Sequence, residues 1–180
     1  GQDMTDKKAL RAQVAEKVQG LSWLYREKAD RAIRFHIYGW SLYQAAGTVF
    51  CYAGTDREID TRELLSSALI AGKRVVLMEA RAIGSMEDLV PGKYGILAPK
   101  PGCALVAPEA IDLAFIPCAS GNAKGERLGY GGGFYDKWLA AHPGHPLGAL
   151  CYGFQLLDRL ETDPHDVPVD FVLAEPKIGR

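Results

Sequence analysis

The segment Asp112-Leu-Ala-Phe-Ile-Pro117 has no polar residue between its ends. A strand with one face in water alternates apolar and polar side chains, so an unbroken apolar run needs cover on both faces. Similar short runs occupy residues 48–53, 74–78, 147–152 and 171–173. Helical patterns stand before or between them. Thr5 or Asp6 can cap a helix carrying Leu10, Val14, Val18 and Leu21 on one stripe. Ser22 can cap a second helix with Leu24, Ala29, Ile33, Ile37 and Trp40 on its apolar side. A third spans 61–71, opened by Asp60 or Thr61 and stopped by Gly72, and a fourth runs from Phe134 or Tyr135 to about Ala141. Residues 91–102 are punctuated by Pro91, Gly92, Pro99, Pro101 and Gly102 and predict short extended pieces, with a helical turn at Pro108-Glu109. Apolar strands alternating with helices predict an α/β fold: three α/β/α layers around a largely parallel central sheet. In such sheets ligands bind beyond the carboxyl ends of the strands, and the loop after Pro117 lies at one of those ends.

The chain of 180 residues suffices for one domain with a real core, predicted to span 1–180. Its 21 Lys and Arg nearly cancel 22 Asp and Glu. A net charge of −1 leaves no field for nucleic acid or an anionic membrane, so any phosphate must be held locally. The charge-free stretches 35–55 and 139–157 are broken by Gly, Ser, Gln, His and Pro, so neither predicts a membrane span. Gly1-Gln2-Asp3 ahead of Met4 reads as a tag remnant, and no apolar signal core follows. Cys51, Cys103, Cys118 and Cys151 are far apart, which predicts buried free thiols and a cytoplasmic setting. His142 and His145 straddle Pro143-Gly144, a spacing that suits no helical metal pair. Nothing marks an obligate interface, so a monomer is expected.

Chemistry concentrates between Gly125 and Asp136. Gly129, Gly131, Gly132 and Gly133 fall within five positions, just ahead of a helix. Such a run lets the backbone approach a ligand with its N–H groups turned inward, and the helix adds its positive end. Arg127 can neutralise phosphate oxygens, Asp136 can hold Mg²⁺, and Tyr130, Phe134 and Tyr135 can stack on a flat ring. Glycines alone would fit a plain surface loop. Their arginine, aromatic and acidic neighbours favour a polyphosphate site. The pattern is neither a Walker loop nor a dinucleotide fingerprint.

The stretch from Arg127 to Leu139, RLGYGGGFYDKWL, resembles the hallmark segment of the 5-formyltetrahydrofolate cyclo-ligase family. Lys7-Lys-Ala-Leu-Arg11, Glu58-Ile-Asp-Thr61, Gln155-Leu-Leu-Asp158 and His165-Asp-Val-Pro-Val-Asp170 resemble its other motifs in the same order, from residue 7 to about 175. The resemblance implies an enzyme that uses Mg²⁺ and ATP to convert 5-formyltetrahydrofolate into 5,10-methenyltetrahydrofolate. It also implies a fold shared with sugar-phosphate isomerases and CoA transferases. The ATP site would comprise Lys7, Lys8, Ala9, Leu10 and Arg11 together with Arg127, Leu128, Gly129, Tyr130, Gly131, Gly132, Gly133, Phe134 and Tyr135. Lys7, Arg127 and Tyr130 would take part in the reaction. Ala53, Glu58, Tyr94, Tyr130, Gly131, Gly132, Gly133 and Phe134 would meet the folate, with Glu58 accepting from pterin N–H groups. Asp136 and Asp166 would ligate Mg²⁺.

Each residue also has a plainer reading. Lys7 and Arg11 could be solvated charge, Glu58 and Asp136 could serve helix starts, and Asp166 could be a turn former. Two rival functions stay open on the residues alone: a sugar-phosphate isomerase, and a non-catalytic folate or nucleotide sensor. Residues 118–124 lack a Phe-Asp that the family often carries ahead of its glycine loop, which leaves open how the base of that loop is braced.

Overall fold

The computed structural model describes residues 4–129, 134–142, 144–164 and 166–175. Helices α1 (Met4–Gly20), α2 (Trp23–Tyr38) and α3 (Ser41–Ala45) precede strand β1 (Thr48–Cys51). Helix α4 (Arg62–Ile70) leads into β2 (Arg74–Leu77) and β3 (Arg81–Ile83). A hairpin of β4 (Leu89–Pro91) and β5 (Leu97–Pro99) follows. Then come β6 (Leu113–Pro117), a short ribbon of β7 (Ser120–Gly121) and β8 (Arg127–Leu128), α5 (Phe134–Ala141), β9 (Leu147–Leu150) and β10 (Phe171–Leu173).

The six-stranded sheet has the order β10-β9-β6-β1-β2-β3. All neighbours are parallel except β2 and β3. The predicted parallel sheet is therefore present, with an antiparallel edge strand that no apolar run announces. Alternation along the strands builds two cores. Val49, Cys51, Val75, Leu77, Leu113 and Phe115 face Val14 and Val18 of α1, Ala29, Ile33 and Ile37 of α2, and Leu64, Leu65 and Ala68 of α4. Phe50, Val76, Ala114, Ile116 and Ala149 face the other way, toward Leu139 of α5 and Ile111. Phe115 is fully buried beside Trp40 and Tyr43, so its truncation to Ala would cost about 3–5 kcal/mol.

Local chemistry explains the helix ends. Ser22 Oγ accepts from the Tyr25 N–H at 3.0 Å, the expected cap. Helix α1 already includes Met4, so Thr5 and Asp6 lie in its first turn and do not cap it. Helix α2 stops at Tyr38, ahead of Gly39. Trp40 is thus outside the helix and packs edge-on against Phe171 at 4.7 Å, while Leu24 is exposed. Asp60 Oδ1 accepts from the Arg62 N–H at 2.9 Å and opens α4. Thr61 is engaged elsewhere, since its hydroxyl donates to the Tyr52 carbonyl and accepts from the Gly54 N–H. All four cysteines are buried free thiols. Among the described residues no helix is long and apolar enough to cross a membrane.

Candidate active site

Strands β1, β6 and β9 run parallel, so the chain segments that leave them converge at one end of the sheet. From β6 the chain turns into the β7–β8 ribbon, in which Ser120 pairs with Leu128 and Gly121 with Arg127. Asn122 closes its turn. Its Oδ1 accepts from the N–H groups of Lys124 and Glu126, and its Nδ2 donates to Glu126 Oε1 at 2.9 Å. That local turn braces the base of the glycine loop without a Phe-Asp. Gln155 adds a second brace: fully buried, it donates to the carbonyls of Cys118 and Ala119 and accepts from the Tyr152 N–H.

Arg127 sits 5% exposed on β8. Its Nη1 donates to Asp136 Oδ1 at 2.9 Å and its Nη2 to the Pro117 carbonyl at 3.2 Å. Its Nε is buried with no hydrogen-bond partner among the described residues. Leu128 belongs to the core. A side chain on Gly129 would press on Arg127 Nη2 and approach Asp136 Oδ2, so glycine there keeps the ion pair intact. Tyr130 and Gly131, Gly132 and Gly133 lie outside the described residues, as does the side chain of Phe134.

Helix α1 reaches this place from the other end of the chain. Arg11 Nε donates to the Gly129 carbonyl at 2.8 Å. Lys7, 6% exposed, places Nζ 2.7 Å from Asp163 Oδ2 and 3.8 Å from Asp166 Oδ2. The structure thus brings Lys7 and Arg11 to the loops, whereas Lys8 and Ala9 are exposed and Leu10 packs on the core. Asp163 was not among the expected site residues, but a signal for its pairing existed. Lys7 continues the Leu10, Val14, Val18 stripe, and a lysine on an apolar stripe needs an acidic partner. Val167 donates its N–H to Asp136 Oδ1 at 3.2 Å, so Asp166 and Asp136 stand on touching segments.

Glu58 lies on the loop between β1 and α4. Its Oε1 accepts from the N–H and the hydroxyl of Thr55, at 2.9 and 3.0 Å. Burial pushes its carboxyl above the usual range, against the pull of those two donors. Burial also raises the Tyr135 phenol, and the nearby Glu58 charge adds to that shift while Arg127 opposes it. Tyr135 is thus within electrostatic reach of both Glu58 and Arg127. Ala53 is half-buried at the mouth of the same loop. Tyr94 is not brought there: it is 90% exposed at the tip of the β4–β5 hairpin, with φ +58°.

A sequence model of the 5-formyltetrahydrofolate cyclo-ligase family matches residues 3–175. The chain belongs to that family. It is 32% identical to the 5-formyltetrahydrofolate cyclo-ligase of Mycolicibacterium smegmatis, over 96% of this chain and 95% of the relative. It is 27% identical to the Haemophilus influenzae protein of the same name, over 92% and 95%. The solution structure of Aquifex aeolicus 5,10-methenyltetrahydrofolate synthetase superposes with a TM-score of 0.83 at 27% identity, covering 93% of this chain and 88% of that one. The Mycoplasma pneumoniae synthetase shares the fold, with a TM-score of 0.73 at 24% identity over 95% and 99%. For a cyclo-ligase of this family the polar residues are apt. A buried guanidinium with one unused N–H, and a lysine among carboxylates, suit phosphate oxygens. Two carboxylates on touching segments supply the hard oxygens that Mg²⁺ takes. Among the described residues no group of three metal-binding side chains exists, so a divalent ion there would complete its shell with phosphate and water.

Proposed function

We propose that this chain cyclises 5-formyltetrahydrofolate to 5,10-methenyltetrahydrofolate with Mg²⁺-ATP as the second substrate. The observation that carries this reading is the meeting of the Arg127–Asp136 pair at the end of the sheet with Arg11 and Lys7 from α1, while Glu58 lies on the loop after β1. An N-formyl amide is a poor electrophile because its oxygen does not leave. In the proposed reaction that oxygen takes the γ-phosphoryl group of ATP and ADP leaves; N10 of the folate attacks the formyl carbon and gives up its proton, and phosphate departs with the former formyl oxygen as the ring closes.

The roles proposed for the residues are those that the family resemblance implies. Glu58, desolvated, accepts hydrogen bonds from pterin N–H groups and fixes the ring beside Ala53. Lys7 and Arg11 hold phosphate oxygens at the α1 side, and Arg127 offers its unused Nε–H from the opposite side. Gly129 and the glycines that follow it, with Tyr130, Phe134 and Tyr135, frame the nucleotide and the formyl end of folate. Asp136 and Asp166 would hold Mg²⁺, which would neutralise charge on the phosphate oxygens. Catalysis on this reading is positioning and charge neutralisation.

The test is the absorbance of methenyltetrahydrofolate on mixing protein, 5-formyltetrahydrofolate, Mg²⁺ and ATP, with each omitted in turn. A rise that needs all three ligands is expected. Bound folate and ATP without any rise would overturn the assignment. Glu58→Gln should raise the KM for folate and leave the KM for ATP in place.

A further inference from the structure

We propose that Arg26 and Asp30 of α2, with Tyr152 after β9, are positioning residues that aim Glu58 at its substrate. The proposal rests on the folate-binding role given to Glu58 above. Glu58 sits on a loop without regular structure, where Thr55 holds its Oε1, so where that carboxylate faces depends on how the loop as a whole is held. Arg26 Nη2 donates to the Glu58 carbonyl itself at 3.2 Å. One helical turn later, Asp30 lies on the same side of α2. Arg26 therefore holds the peptide group that follows Glu58 through its oxygen, and Asp30 bears on it through Tyr152.

Tyr152 locks these two side chains together. Its hydroxyl accepts from Arg26 Nε and donates to Asp30 Oδ1, both at 3.2 Å. The ring is fully buried, and the Arg26 guanidinium stands 5.9 Å from its centroid. Asp30 is only 7% exposed, so it is no solvated helix charge. Through its N–H, Tyr152 is also tied to Gln155, which holds Cys118 and Ala119 at the base of the ribbon bearing Arg127. The clamp thus spans from the loop of Glu58 to the strand of Arg127. Within its own segment, Tyr52 Oη donates to the Ile59 carbonyl and Thr61 Oγ1 to the Tyr52 carbonyl, which fixes the closure of the loop. Gln19 of α1 reaches the loop at Asp56 Oδ2, whereas Arg26 of α2 holds Glu58 itself. A displaced carboxylate loses most of its value even when the fold is intact, because a small misplacement costs a large factor in affinity or rate.

The experiment measures KM for 5-formyltetrahydrofolate, KM for ATP and kcat for Arg26→Ala, Arg26→Lys and Tyr152→Phe. Arg26→Ala and Tyr152→Phe are then repeated in a Glu58→Gln background, with thermal melting as a check on folding. Arg26→Ala should raise the folate KM about tenfold, and Tyr152→Phe should raise it by less. The ATP KM and kcat should stay within about twofold, and Arg26→Lys should recover part of the loss by restoring one of the two donations. In the Glu58→Gln background both substitutions should add less than about twofold, because a residue that acts through Glu58 has nothing left to aim. Tyr152→Phe keeps the buried ring and serves if Arg26→Ala fails to fold. Folded variants with an unchanged folate KM would overturn the clamp, as would a penalty that persists in full without the Glu58 carboxylate. Wild-type protein run alongside separates the two levels. No wild-type turnover removes the assigned reaction and with it the clamp, whereas wild-type turnover with unaffected variants removes the clamp alone.

Discussion

Arg127 and Asp136 form an ion pair of 2.9 Å in which the guanidinium is 2% and the carboxylate 19% exposed at the side chain. The pair is nearly as much a part of the core as of the site. Removing the Asp136 charge leaves a cation in a place where water cannot reach it, which typically costs about 3–5 kcal/mol. Asp136→Asn should therefore shift urea unfolding by roughly that amount and also depress turnover. Pairing Arg127→Met with Asp136→Leu should restore most of the stability and none of the activity. A double variant that regained turnover would remove both residues from the reaction.

Lys7 makes the opposite prediction. Its partner Asp163 has a side chain 51% exposed, so water can take over when the ammonium is deleted. Lys7→Ala should cost under about 1 kcal/mol of stability, yet raise the KM for ATP severalfold with little change in the folate KM. Steady-state kinetics at fixed saturating folate distinguish the two. An unchanged KM for ATP would return Lys7 to a purely structural tie.

Gly125 fixes the ribbon to the segment that carries Asp166. It has φ +81°, and any Cβ there would run into the Val169 carbonyl. The Val169 N–H in turn donates to the Gly125 carbonyl at 2.8 Å. Gly125→Ala should cost more than about 2 kcal/mol and speed exchange of the Val169 amide hydrogen. Protection of that amide at the wild-type level would contradict the role.

The Asp30 carboxyl is raised by burial from 3.8 to about 7, against the opposing hydrogen bond from Tyr152 and the charge of Arg26 and with some help from Asp60. The fold thus prefers the protonated acid. A raised acid pKa means that the native state binds the extra proton, so stability falls as pH climbs from about 4 to about 7. Wild-type protein should lose stability relative to Asp30→Asn across that window and hold a constant difference above it. Unfolding midpoints at pH 4, 5.5, 7 and 8 would measure this, and parallel curves for the two proteins would refute it.

How much of this was legible in the residues follows from the range of each interaction. The apolar runs 48–53, 74–78, 112–117 and 147–152 announced the parallel strands that end at Cys51, Leu77, Pro117 and Leu150, because double-sided burial leaves its mark on consecutive residues. Ser22 announced its cap for the same local reason. The short strands β3, β7 and β8 carry no apolar run of the kind that marked 171–173 as β10. Trp40 kept its apolar role but lies outside the helix, near Phe171 of β10 and Phe115 of β6, since Gly39 ends α2 first. Arg26 and Asp30 read as an ordinary polar helix face. They turn inward because Tyr152, more than 120 residues later, offers a hydroxyl with both donor and acceptor capacity. Of the folate contacts expected from resemblance, Glu58 lies half-buried on the loop after β1, while Tyr94 was left in solvent.

The tie between Arg11 and Gly129 joins positions 118 residues apart, and that between Lys7 and Asp163 joins positions 156 apart. The first helix is therefore held by positions in the last third of the chain, at the Gly129 carbonyl and the Asp163 carboxylate. A chain cut before residue 163 lacks the partner of Lys7, and one cut before residue 129 lacks that of Arg11 as well. Both ties exist only once distant parts of the polypeptide have met.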